Sequence, residues 1–283
     1  MNKRKAAEFV QPMLFEPPAP VASGWQPHAL SAATQVHWTM PVEIDDRLDA
    51  THYVITQRPE RSLHHLTCPL LPLQQWAAVN PQVRRLPVER GYLLYEQCHY
   101  AEIRSVREAC WLLGFQLPVT AVRDLPSRAA YEPKPGDLLL PRVYSALHKA
   151  VMVVETPLPL VASDAFALLH PPSHEQGLVL LALLHHQVLG EQLWALTSGT
   201  MIRTVTVDKL DDLQVPLLPA GAQQQVVALV SDLIEAQASA TFPDSNLDLV
   251  RYWQNCSISQ WQRHAAHLTQ RLYTLIDQAL ARG

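Results

Sequence analysis

Pro135-Gly136-Asp137-Leu138-Leu139-Leu140-Pro141-Arg142 is the stretch on which the fold class turns. Pro-Gly-Asp is turn chemistry, and the three leucines after it form a short apolar run that Pro141 closes. Similar runs follow at Val151-Met152-Val153-Val154 and Ala165-Phe166-Ala167-Leu168-Leu169, separated by Pro, Gly and Asp. Short apolar runs between turn residues predict a β-rich unit. Upstream, Gly91-Tyr92-Leu93-Leu94-Tyr95 reads as a strand, and residues 102–113 read as strand or short helix. Downstream, Thr204 to Val207 alternates like an edge strand.

Helical signals lie in the second half. Gln176 to Leu189 is apolar enough for one buried helix. Residues 222–238 place Val226, Val230, Leu233, Ile234 and Ala238 at amphipathic spacing. Trp261, Ala265, Leu268, Leu272, Leu275 and Ala279 step by 4, 3, 4, 3 and 4, a heptad-like stripe. Helices over about 222–239 and 246–281 would make an antiparallel pair. The expected class is α+β: a loosely ordered, proline-interrupted segment over 1–50, a β-rich α/β domain over 51–220, and a helical dimerisation or partner region over 221–283. Leu63-x-x-Leu66-x-Cys68-Pro69-Leu70-Leu71-Pro72 is echoed by Leu210-x-x-Leu213-x-Val215-Pro216-Leu217-Leu218-Pro219.

Composition narrows the function. The 283 residues are 48% hydrophobic, so a core can be buried, yet no apolar run reaches the ~18 residues of a membrane span. The basic start, Met1-Asn2-Lys3-Arg4-Lys5, has no apolar stretch behind it, and a cytoplasmic protein is expected. Cys68, Cys98, Cys110 and Cys256 have no metal-ligand spacing, and adjacent pairs such as His64-His65 and His185-His186 point apart, so no metal is expected. Residues 84–150 carry 10 basic and 7 acidic groups, whereas 151–245 carry 2 basic and 10 acidic. That asymmetry suits a chain touching DNA with one face and a partner with another. Phosphate-cradling, methyl-donor and hydrolase-elbow motifs are not found, and no catalysis or cofactor is expected.

Four blocks stand in order. They are the Pro135–Arg142 stretch with Lys149 after it; Pro159-Leu160-Val161-Ala162-Ser163-Asp164-Ala165-Phe166; Leu196-Thr197-Ser198-Gly199-Thr200; and Lys209 to Pro219 followed by Gln223-Gln224-Gln225 and a helix. At these spacings the segment from about Arg90 to Ala238 resembles the target recognition domain of type I restriction–modification specificity subunits, in a single-copy, half-subunit form. The family's loop after the first strand carries glycines, whereas this chain has Tyr144-Ser145-Ala146-Leu147-His148.

The resemblance implies a sequence-specific, non-catalytic DNA-recognition subunit of a restriction–modification or related phage-defence complex. Its partners would be double-stranded DNA, methyltransferase and restriction subunits, and a second copy or second half subunit. Arg142, Lys149, Ser198, Thr200 and Arg203 are the first candidates for DNA contact, with Arg104 and Arg107 behind them. Val226, Val230, Leu233, Trp261, Leu268, Leu272 and Leu275 are the candidate partner-binding stripe. The acidic 151–245 segment favours a different reading, a protein–protein adaptor that keeps the fold without reading DNA.

Overall fold

The computed structural model describes residues 63, 66–79, 96–106, 111–113, 117–199, 202–240 and 257–282. The expected 1–50 segment, the Gly91–Tyr95 strand, Arg107, Thr200 and the side chain of Trp261 lie outside that description.

The Pro-Gly-Asp turn forms as its chemistry requires. Gly136 takes φ +93°, and the Asp137 carboxylate accepts the Lys134 N–H at 2.7 Å. The turn feeds β7 (Leu138–Pro141), which pairs antiparallel with β10 (Phe166–His170) on one side and β8 (Val151–Val153) on the other. With β2 (Ala78–Val79) and β4 (Leu112–Leu113) this makes a five-stranded sheet in the order β2-β10-β7-β8-β4. Both of its faces are covered. Leu138 and Leu140 point into a core shared with the helices, and Leu139 points into a second core against the other large sheet. An unbroken apolar run is what a strand buried on both faces needs.

The second sheet has the order β5-β3-β9-β6, from β5 (Val119–Ala121), β3 (Gln97–Ala101), β9 (Leu160–Ser163) and β6 (Ala129–Tyr131). A two-residue turn, Asp164-Ala165, carries the chain from β9 into β10 of the first sheet. Residues 102–113, open between strand and helix, show a 3-10 turn at Ile103–Ser105 and the short β4.

The echoed segments pair with each other. β1 (Leu70–Pro72) runs antiparallel to β11 (Gln214–Pro216), with Leu70 opposite Pro216 and Leu71 opposite Val215. The Leu217 N–H donates to Pro69 O at 2.8 Å, so each Pro-Leu unit meets its counterpart about a local two-fold.

Four helices are described. The single helix expected over 176–189 is two: α1 (His174–His185) and α2 (Gln187–Ala195). His186 breaks the run in extended conformation (φ −86°, ψ 149°), and its Nδ1 accepts the Val188 N–H at 3.3 Å, capping α2. Apolar periodicity carried no sign of that capping bond. Thr204 to Val207 is likewise not a strand: Thr204 makes only isolated bridges to Val143 and Ser198.

α3 (Ala220–Ala240) and α4 (Ser257–Arg282) pack on each other. Leu280 O accepts from Thr67, and Pro69 O accepts from Leu217 just ahead of α3, so the pair is antiparallel. Val226, Val230, Leu233, Leu268 and Leu272 are all at most 5% exposed and belong to the chain's own core. Ile276, not Leu275, continues the buried stripe, and Leu275 is only half-buried. This stripe therefore seats the helices on the domain, and any partner of the helix pair must meet its other faces.

One joint holds sheet and helices together. Trp111 stacks on His185 with ring centroids 4.1 Å apart and an interplanar angle of 14°. The His185 ring bonds Ala150 O at 2.7 Å, and Tyr273 of α4 donates to His185 O at 2.7 Å. His186 Nε2 lies 3.2 Å from Asp277. Burial lowers the His185 pKa from 6.5 to about 4; the bond to Ala150 opposes that shift and nearby His148 adds to it. The unfolded chain thus takes up a proton that the folded chain refuses until lower pH. Stability from this residue is complete above about pH 6.5 and drains as pH falls toward 4, by about 3 kcal/mol in all. Melting curves between pH 7.5 and 4.5 should show this fall, and His185→Phe should flatten it; an unchanged acid limb would mean that His185 is not the group responsible.

Candidate nucleic-acid interface

Strand direction decides which loops meet. β3 and β9 run parallel, with Ala101 beside Ala162, so the residue following β3 is Glu102 and the one following β9 is Asp164 at the same end. β6 starts opposite Ser163, which puts Arg128 there as well. β7 ends at Pro141 opposite Phe166, so Arg142 follows at this end, and β8 begins there just after Lys149. Arg104, Arg128, Arg142 and Lys149 therefore all leave the two sheets at one rim. Asp137 and Glu155 belong to the opposite end, around a cavity of about 520 Å³ lined by Leu112, Met152, Pro171 and Ile234 among others.

Glu102 organises one part of the rim. Its carboxylate, in a residue only 8% exposed, meets Arg104 Nε at 2.6 Å and Arg128 Nη2 at 2.7 Å. The pairing with Glu102 pushes the Arg128 pKa further up, so its charge is fixed. The two guanidiniums stay largely open to solvent, with side chains 87% and 54% exposed. One carboxylate between two arginines leaves a net positive charge facing outward.

The loop after β7 meets residues 198–199 and 202–205 in a second part. Arg142 N–H donates to Ala165 O at 2.9 Å, and Val205 N–H donates to Arg142 O at 2.8 Å. Tyr144 N–H donates to Arg203 O, also at 2.9 Å. Ser198 and Thr204 exchange backbone bonds of 2.9 Å around Gly199, which sits at φ +117°. Arg203 lies 5.8 Å from the Tyr144 ring centroid, within cation–π range. Tyr144 in turn is 5.9 Å from Trp194 of α2. Ile202, next to Arg203 in the chain, is exposed.

Of the predicted DNA contacts, Arg142, Lys149, Ser198, Arg203 and Arg104 come to this rim, while Thr200 and Arg107 lie outside the described residues. Sequence reasoning missed Arg128, Tyr131 and Tyr144. Tyr131 is 2% exposed and its hydroxyl has no hydrogen-bond partner among the described residues; the Arg142 Nε is likewise buried without one there. Burial pushes the Tyr131 pKa up, Arg142 opposes the shift and Asp164 adds to it. No described helix is long and apolar enough to cross a membrane.

No protein-family model matches the sequence, and no curated protein matches it. Solved structures do match. The HsdS subunit from Thermoanaerobacter tengcongensis is 19% identical, aligned over 64% of this chain and 51% of that one, with a TM-score of 0.44. A chain from a type I R-M system is 14% identical over 82% of this chain and 55% of its own, with a TM-score of 0.42. The type IIG restriction endonuclease BpuSI is 15% identical over 50% of this chain and 17% of its own, with a TM-score of 0.28. The chain spans about half the length of the first two. The likeness to the HsdS subunit and to the type I R-M chain is distant, over 64% and 82% of this chain.

Proposed function

We propose that this chain is a DNA-reading subunit without catalysis of its own, which directs a methyltransferase or restriction complex to its target in the cytoplasm. The observation that carries this reading is the convergence of Arg104, Arg128, Arg142, Lys149 and Arg203 at one end of the two sheets. Five cations over one rim match the regular negative charge of a duplex backbone. The polar groups of Ser198, Gly199 and Thr204 and the Tyr144–Arg203 stack sit among them, suited to sugar, phosphate or base edges. Methyltransferase and restriction subunits, a second copy or a second half subunit would dock on the outer faces of α3 and α4 or at the acidic end.

Salt dependence tests the reading. Binding of the full chain to a mixed-sequence duplex, followed by fluorescence anisotropy, should weaken roughly 500-fold from 50 to 200 mM salt if five phosphates are neutralised. Arg104→Ala and Arg203→Ala should each reduce the log–log slope by about one. The same titration of the complex co-purified from the native host identifies the partner. The strongly acidic 151–245 segment, with 2 basic and 10 acidic groups, favours the adaptor reading. A flat salt response, with no duplex bound by chain or complex, would establish the adaptor instead.

A further inference from the structure

Arg142 is held in a way that an ordinary surface arginine is not. Its backbone is fixed on both sides, by Ala165 in the turn between the sheets and by Val205. The side chain is half-buried and its Nε is fully enclosed, yet that N–H reaches no acceptor and the guanidinium makes no ion pair among the described residues. Tyr131 repeats the pattern from the other side of the same turn. It pairs with Ala162 in β9, is 2% exposed, and its hydroxyl also lacks a partner among the described residues. Asp164, whose charge acts on Tyr131, forms no salt bridge with Arg142.

Two enclosed polar groups flanking one turn, both able to donate and both without an acceptor, are unfavourable in the free protein. Such a pair becomes favourable when a ligand brings the missing oxygen. We propose that Arg142 and Tyr131 form a preorganised donor pair that takes a hydrogen-bond-accepting oxygen of a DNA nucleotide. This rests on the DNA-reading function and assigns one site within it. Two nucleotide groups offer that chemistry: the guanine O6/N7 edge and a phosphate oxygen.

Tyr131→Phe separates this role from a structural one, because the two predict opposite signs. Deleting an unpartnered buried hydroxyl should leave the melting temperature unchanged or raised, while affinity for duplex DNA falls about fivefold to tenfold. Arg142→Ala should lower affinity by roughly ten- to a hundredfold, and Arg142→Lys should recover little of it, since lysine lacks the planar fork. Duplexes selected by the wild-type chain from a randomised pool distinguish the two sources. A phosphate contact gives an equal loss on every duplex and a salt slope smaller by about one; a guanine contact gives a loss confined to the selected sequence at unchanged slope. If wild-type binds DNA and Tyr131→Phe binds equally well, or melts lower, the donor pair is overturned while the DNA-reading function stands. If wild-type chain and complex bind no duplex, both fall.

Discussion

Trp111→Ala should destabilise the chain by about 3–5 kcal/mol, the range for removing a buried aromatic side chain. The indole is 1% exposed and lies flat on the His185 ring. Its loss also disturbs the place where α3 covers the edge of the five-stranded sheet. There, Gln237 Oε1 accepts the N–H groups of Trp111 and Leu112 at 2.8 and 3.3 Å, and Gln237 Nε2 donates to Leu112 O at 3.4 Å. β4 is thereby closed to outside pairing, as an exposed strand edge needs to be. Gln237→Leu should cost about 1–3 kcal/mol by leaving buried backbone groups without partners. Denaturant midpoints at unchanged m-value measure both. A loss below about 1 kcal/mol for Trp111→Ala would show that the joint does not support the fold.

Gly199→Val should reduce duplex affinity at least about tenfold, with a melting temperature lowered only slightly, because the turn is local and at the surface. Gly199 sits at φ +117°, and a Cβ there would stand 2.5 Å from the Ile202 carbonyl oxygen. A backbone atom cannot swing aside as a side chain does, so the turn must open. Opening it breaks the Ser198–Thr204 pair that holds Arg203 over Tyr144. Gly136→Ala is the matched control. It carries similar backbone strain at φ +93° but meets nothing within 4 Å, and it lies at the opposite end of the sheets. It should lower stability by about 1 kcal/mol without touching DNA affinity. Equal loss of affinity in both variants would show that the turn around Gly199 has no special part in binding.

Some of this architecture was readable from residue order. Leu138–Leu140, Val151–Val153 and Phe166–Leu169 announce themselves because a strand buried on both faces must be apolar throughout. The same apolarity hid the break at His186, since periodicity reports burial and not a ring nitrogen that caps a new helix. The rim was half visible. Arg142, Lys149 and Ser198 come from motif blocks and Arg203 stands between two of them, but Arg128 stands in no motif. It joins the rim only because β6 runs antiparallel to β9, a register that no local pattern encodes. Tyr131 was invisible for a different reason: its interest lies in a missing hydrogen bond, which exists only once the fold is closed.

The β1–β11 ribbon also bears on how the chain reaches this shape. Leu71 and Val215, which lie opposite each other in it, are separated by nearly the whole described β-rich region. Closing so distant a contact is entropically unfavourable until the intervening chain has condensed, so the ribbon belongs among the last contacts to form. Contacts made after the folding barrier govern the rate of escape from the native state more than the rate of arrival. The paired Pro-Leu segments therefore act as a latch, and the lifetime of the folded chain, more than its speed of assembly, depends on how firmly it stays shut.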